Sequence, residues 1–292
     1  MVLRMVDVKP LSPVSIPNSE VRTLSSKSAG QEYRILVSLP IYPNYAESND
    51  RYPVLYLLDP DTFFGWVTDL VRLAAGLRAV GYPTAGFVPP NLIVVGIGYP
   101  TTVLRQPKLM VGLRTRDQTP TKSSDDGMSG GISGGAEKFL RFIRDELMPH
   151  INLNYRTDPE DSTIVGHSLG GLFALYALFH EPSTFRRYIA SSPSLRWDRK
   201  VTFEYEREYA SRHTELPARL FLSVGGAEEL EFPDAHSTSN LMEFAETLEN
   251  RKYKGLEWKS HIFEGEGHLS VMGTAICKGI SSVFSESNTK RT

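Results

Sequence analysis

The sequence predicts an α/β fold: a mostly parallel central sheet with helices on both faces and an antiparallel hairpin at its N-terminal edge. Three observations predict it. Short apolar runs have the composition of strands buried on both faces. Stretches of helical periodicity alternate with them along the whole chain. A glycine-bracketed turn joins one such run to an apolar helical stretch near the middle, at Gly166-His167-Ser168-Leu169-Gly170-Gly171.

The elements follow in order. Residues 1–18 carry Pro10, Pro13 and Pro17 and are expected to form an irregular arm. Glu20–Ser25 and Glu32–Leu39 are strand-like, with the turn formers Lys27-Ser28-Ala29-Gly30 between them, so they predict a hairpin. A polar loop at 41–51 leads to the buried strand runs Pro53–Asp59 and Asn91–Ile97, and later to Ser162–Gly166 and Arg219–Val224. Arg187–Ser191 and Trp258–Phe263 add two further strands. Helices are expected over about 65–80, 136–149, 169–180, 238–251 and 270–285. In the second of these, Phe139, Phe142, Ile143 and Leu147 recur at helical spacing. Gly98–Gly135 shows no such pattern and reads as a long loop, of the kind that often serves function. With no repeat and no linker in 292 residues, one domain over 1–292 is expected.

Composition removes several classes of function. The chain has 32 Lys+Arg against 34 Asp+Glu, a formal net charge of −2, and no basic block for a nucleic-acid backbone or an anionic lipid surface. Its single cysteine, Cys277, excludes an internal disulfide and a Cys-rich zinc site. No apolar stretch approaches the ~20 residues that span a bilayer. The N-terminus lacks a continuous apolar segment of the signal-peptide type, so the cytoplasm is the expected compartment.

The Gly166–Gly171 turn carries the chemistry. A serine on a sharp strand-to-helix turn stands off the sheet, and the helix start supplies N–H donors for an oxyanion. Ser168 is therefore the candidate nucleophile. In this architecture the acid and then the histidine follow in the chain. Of seven histidines, His268 sits in a glycine-bracketed loop after the last strand run, and His261 and His236 are its competitors. The acid is sought in the loop after Phe221–Val224, with Glu228 first, Glu229 next and Asp234 third. The Leu169 N–H and, from the loop after an earlier strand, the Asp61 N–H are the expected oxyanion donors, because Pro60 has none.

These residues resemble an esterase group of the α/β-hydrolase superfamily that includes S-formylglutathione hydrolase, feruloyl esterases and siderophore esterases of the enterobactin and bacillibactin type. The resemblance runs from Tyr33 to Val283. It is carried by Val54–Asp59, Arg114–Pro120, Gly134–Phe139, Gly166–Gly171 and Ser191-Ser-Pro-Ser-Leu-Arg-Trp197. The siderophore-esterase branch is the nearest, through the last segment. The resemblance implies an α/β-hydrolase fold and hydrolysis of iron-siderophore esters. The residues themselves support ester hydrolysis through an acyl-enzyme, with no metal or organic cofactor and a small-molecule ester as partner. Acyl transfer by the same triad, or a non-catalytic binding protein on the same fold, are the alternatives. Arg114, Arg116, Arg196 and Trp197 are the expected substrate contacts, suited to a planar or anionic group.

Overall fold

The computed structural model describes residues 14–83, 89–102, 105–123 and 132–285. Most of the N-terminal arm, and 103–104 and 124–131 of the expected loop, lie outside the described residues.

The hairpin forms as expected from β1 (Ser19–Ser26) and β2 (Gln31–Ser38), with Gly30 left-handed at φ 66 in its turn. Glu146 fixes that turn from outside by accepting the Lys27 and Ser28 N–H groups at 2.9 and 2.8 Å. The apolar runs become β3 (Tyr52–Leu58), β4 (Ile93–Gly98), β5 (Thr157–His167), β6 (Arg187–Ser191), β7 (Glu215–Gly225) and β8 (Lys254–Phe263). The order across the sheet is β1-β2-β4-β3-β5-β6-β7-β8. β1, β2 and β4 pair antiparallel, and β4 through β8 pair parallel.

Period-two alternation divides the core. On one face Tyr56, Leu58, Val95 and Ile164 pack under α3 (Ala136–Phe142), α5 (Leu169–His180) and α8 (Ser237–Arg251). On the other, Leu55, Leu57, Val94, Val165 and Ile189 pack against α1 (Pro60–Ala79) and α9 (Val271–Phe284). The sheet is thus covered on both sides, and its central strands need apolar residues at every position. A π turn at Ile143–Leu147 joins α3 to α4 (Met148–Asn154), where Pro149 has no N–H to give to an i−4 carbonyl.

Two helices depart from the sequence expectation. Within the expected 98–135 loop lies α2 (Pro107–Gln118). It lacks an apolar stripe because the residues it buries are largely polar: Thr115, Asp117 and Gln118 accompany Met110 and Gly112. Asp117 accepts hydrogen bonds from Gln31, Tyr33 and Arg116, which ties α2 to β2. The other is α6 (Trp197–Ala210), a charged helix whose start is left-handed at Asp198, Arg199 and Lys200. Its anchor is the buried Glu206, held by Arg251 and Tyr253 at 2.7 and 2.8 Å.

A second buried ion pair braces the carboxyl ends of the strands. Asp59, left-handed at φ 52 between β3 and α1, receives Arg114 Nε at 2.8 Å and Nη2 at 2.9 Å. Gln118 adds a bond at 3.2 Å, and Arg114 Nη2 also reaches the His167 carbonyl at 3.1 Å. Removing one member of such a pair strands the other charge, whereas replacing both with apolar groups often does not. Arg114→Met should therefore cost about 3 kcal/mol, a melting temperature lower by roughly 5 °C. Asp59→Leu combined with Arg114→Met should recover much of that loss in thermal unfolding. A double variant less stable than both singles would show that the pair does not act through its charges.

Candidate active site

The β5-to-α5 turn is built on contacts that only glycine permits. A Cβ on Gly166 would stand 2.1 Å from the Gly170 carbonyl oxygen, and one on Gly171 would stand 3.0 Å from Pro193 Cα. Ser168 itself is held at φ 61, ψ −117, a conformation that L-residues avoid unless the surroundings enforce it. The enforcement comes from three hydrogen bonds: Ser168 N–H to the Ser191 carbonyl, and Leu172 and Ser194 N–H groups to the Ser168 carbonyl. The Leu169 N–H opens α5 beside the serine, in a turn with no i−4 carbonyl to satisfy it.

At the next strand ends the chain makes a second glycine-dependent approach. A Cβ on Gly225, the last residue of β7, would lie 2.3 Å from the Glu266 carbonyl oxygen. The 264–270 loop therefore crosses directly over the start of α7 (Glu228–Glu231). There Glu228, 1% exposed, meets the loop. Its Oε2 lies 2.9 Å from His268 Nδ1, while Oε1 accepts the Gly225 N–H at 2.9 Å and the Ser192 hydroxyl. Burial alone would push this carboxyl up, but the bonds from His268, Ser192 and Gly225 hold it below the usual carboxylate value.

Ser168, Leu169 and His268 line one cavity of about 760 Å³, together with Ser192. Arg114, Arg196 and Trp197 lie on its wall as well, and so does the stretch from Glu231 to Ala235. The other candidate acids face elsewhere or stand apart. Glu229 accepts the Ser239 N–H at 2.6 Å at the start of α8, and Asp234 sits on the cavity wall. Neither His236 nor His261 is among the lining residues. Among the described residues, no three His, Cys, Asp or Glu side chains come together as a metal-binding group.

Four of the expected site residues have other partners in the structure. Arg116 does not line the cavity; its Nε bonds Asp117 at 2.8 Å, because burial of that carboxylate demands a cation beside it. Arg114 reaches the cavity, but Nε and Nη2 are committed to Asp59 and the His167 carbonyl, so its first task is to brace the turn. Asp61 is not a lining residue and its side chain pairs with Arg34, leaving only its backbone for a site role. Trp197 is 8% exposed and donates its indole N–H to Thr121, so it is half wall, half scaffold. The sequence reading missed Glu231 and Phe232. The available signal was spacing: Glu231 follows Glu228 by three residues, which places both on one side of a helical turn.

His167 adds an electrostatic constraint. It is 5% exposed, its Nδ1 lies 3.0 Å from Ser191 Oγ, and its ring centroid is 4.6 Å from that of His268. Burial first, then the neighbouring His268 and Arg114, push it down to about 3. The unfolded chain takes up a proton below its ordinary value of 6.5, and the folded chain does not. Stability should therefore fall as pH drops from about 6.5 towards about 3, with this residue adding a slope of about 1.4 kcal/mol per pH unit. His167→Gln should flatten that slope in denaturant titrations run at several pH values; an unchanged slope would assign it to other groups.

The sequence pattern of the Esterase family, described as "Putative esterase", matches residues 107–271. The chain is 35% identical over 274 residues to the ferri-bacillibactin esterase BesA of Bacillus subtilis, covering 91% of this chain and 89% of that protein. It is 29% identical over 304 residues to the siderophore triacetylfusarinine C esterase of Aspergillus fumigatus, covering 94% and 96%. Among solved structures it resembles the BES protein from Bacillus cereus, with a TM-score of 0.80 and 30% identity over 96% of this chain and all of that one. The chain belongs to this esterase family and is a carboxylic ester hydrolase of the α/β-hydrolase fold.

Proposed function

We propose that the chain hydrolyses siderophore esters through an acyl-enzyme, with Ser168, His268 and Glu228 as its triad. The observation that carries this reading is that His268, which lines one cavity with Ser168, has its Nδ1 2.9 Å from the buried Glu228 carboxylate. Ser168 Oγ attacks the ester carbonyl as its proton passes to His268 Nε2. Glu228 holds Nδ1–H, which fixes the tautomer and stabilises the imidazolium. The carbonyl oxygen becomes an oxyanion, stabilised by the Leu169 N–H and by the Asp61 N–H from the first turn of α1. Collapse breaks the C–O bond, and the leaving alkoxide takes the proton from His268. Water, deprotonated by the same imidazole, then releases the acid and restores Ser168.

The relatives named for ferri-bacillibactin and triacetylfusarinine C support a siderophore as the substrate. The cavity wall fits one. Arg196 lines the cavity with Trp197 and Phe232, a cation together with aromatic side chains, which favours an anionic, electron-rich acyl group. Of the three expected arginines, Arg196 lines the cavity without a carboxylate partner of the kind that engages Arg114 and Arg116.

Ser168→Ala should lower kcat by several powers of ten with folding unchanged. Glu228→Gln should cost far more activity than Glu229→Gln, because only Glu228 faces His268. Equal and mild losses would leave a Ser–His pair without its acid. Arg196→Gln should reduce kcat/KM by about 10–150-fold on a ferric catecholate trilactone, the usual worth of one charged hydrogen bond. The same variant should leave a short aliphatic ester unaffected. Equal losses on both substrates would remove Arg196 from recognition.

A further inference from the structure

The carboxylate of Glu231 has no part in the steps above, yet it is bonded to the histidine they use. Glu231 Oε2 accepts the His268 backbone N–H at 2.8 Å. Glu231 Oε1 occupies the space over Gly267, where a Cβ would stand 1.8 Å from it. Glu228 and Glu231 thus leave one face of the single turn of α7 and bracket His268, one on its ring and the other on its main chain.

The loop needs that second hold. It runs Glu264-Gly265-Glu266-Gly267-His268, with Gly265 left-handed at φ 74. Two glycines in five residues leave the backbone wide conformational freedom. The flanking residues are tied by Ala227 N–H to the Glu266 carbonyl, Gly267 N–H to Ser270 Oγ and Val271 N–H to the Gly267 carbonyl, but none of these bonds holds the His268 N–H itself. Holding the main-chain N–H as well fixes the base of the side chain, so that Nε2 is aimed as well as tethered. A misplacement of ~1 Å in such a group can cost ~100-fold in rate.

We propose that Glu231 is a positioning residue for the reaction, its carboxylate clamping the His268 main chain so that the imidazole stays between Glu228 and Ser168. Gly267 is then required because the clamp fills the volume of a side chain. The inference rests on the reading of His268 as the base.

The test compares Glu231→Ala, Glu231→Gln, Gly267→Ala and the Glu231→Ala/Gly267→Ala double variant on a short-chain aryl ester, with His268→Ala beside them. Glu231→Ala should lower kcat by ~10–100-fold, with KM within about threefold of the parent. Glu231→Gln should restore most of the rate, since its amide oxygen still accepts the N–H. Gly267→Ala should reproduce the loss, and the double variant should lose little more than either single, because both break one clamp. The clamp is overturned if Glu231→Ala keeps kcat within threefold, if its loss is confined to KM, or if Gln restores nothing. Should Glu231→Ala not fold, a normal Gln variant beside a slow Gly267→Ala supports the clamp, and equal rates in those two overturn it. A His268→Ala variant of near-parental activity would instead defeat the base assignment on which the inference stands.

Discussion

One buried carboxylate ties three strand ends together. Glu228 takes a donor from the end of β7, a donor from the segment after β6, and the imidazole from the loop after β8. Each of those segments reaches it only through an unusual backbone. Gly225 has no room for a side chain, Ser192 is left-handed at φ 42, and the histidine loop lies against Gly225 itself. A carboxylate this deep is tolerable as an anion only when its lone pairs are filled. The same bonds that make its burial possible therefore set where the histidine stands. Fold and site share one constraint, and neither relaxes without the other.

The opposite side of the serine turn is held in the same manner by a pair of unlike charges. Asp59 and Arg114 come from β3's end and from α2, and Arg114 passes the connection on to the His167 carbonyl, one residue before Ser168. A strained serine needs surroundings that over-determine it. The glycines around the turn remove steric freedom to shift, and the Arg114 bond anchors the carbonyl that enters it. This is why a helix in the expected loop matters: α2 delivers a cation to the turn from a distance that no short connection could fix.

Most of the sheet was legible in the sequence because its signal is local. Val54–Leu58 and Leu92–Val95 are apolar without interruption, and only a strand covered on both faces asks for that. The serine turn was legible because close backbone approach demands glycine at set positions. What stayed hidden depends on partners remote in the chain. The helix α2 buries Asp117 and Gln118, which look like surface residues until Tyr33 and Asp59 are seen beside them. Arg114 and Arg116 look free for a ligand until their carboxylates are located. Charge in a sequence shows which groups are present; the fold alone decides which are spent on one another.

That accounting bears on how two adjacent imidazoles divide their work. His167 and His268 have ring centroids 4.6 Å apart, a separation at which two cations repel strongly in a poorly solvated site. Burial answers this for one of them: His167 is nearly sealed from water, with Arg114 close by, and stays neutral throughout the range in which an ordinary histidine titrates. His268 is a quarter exposed, and its Nδ1 lies 2.9 Å from Glu228 Oε2. The two rings meet at an angle of 44°, so the neutral inner imidazole packs obliquely against the outer one. The ring that lines the cavity is therefore His268, with a buried, neutral imidazole behind it.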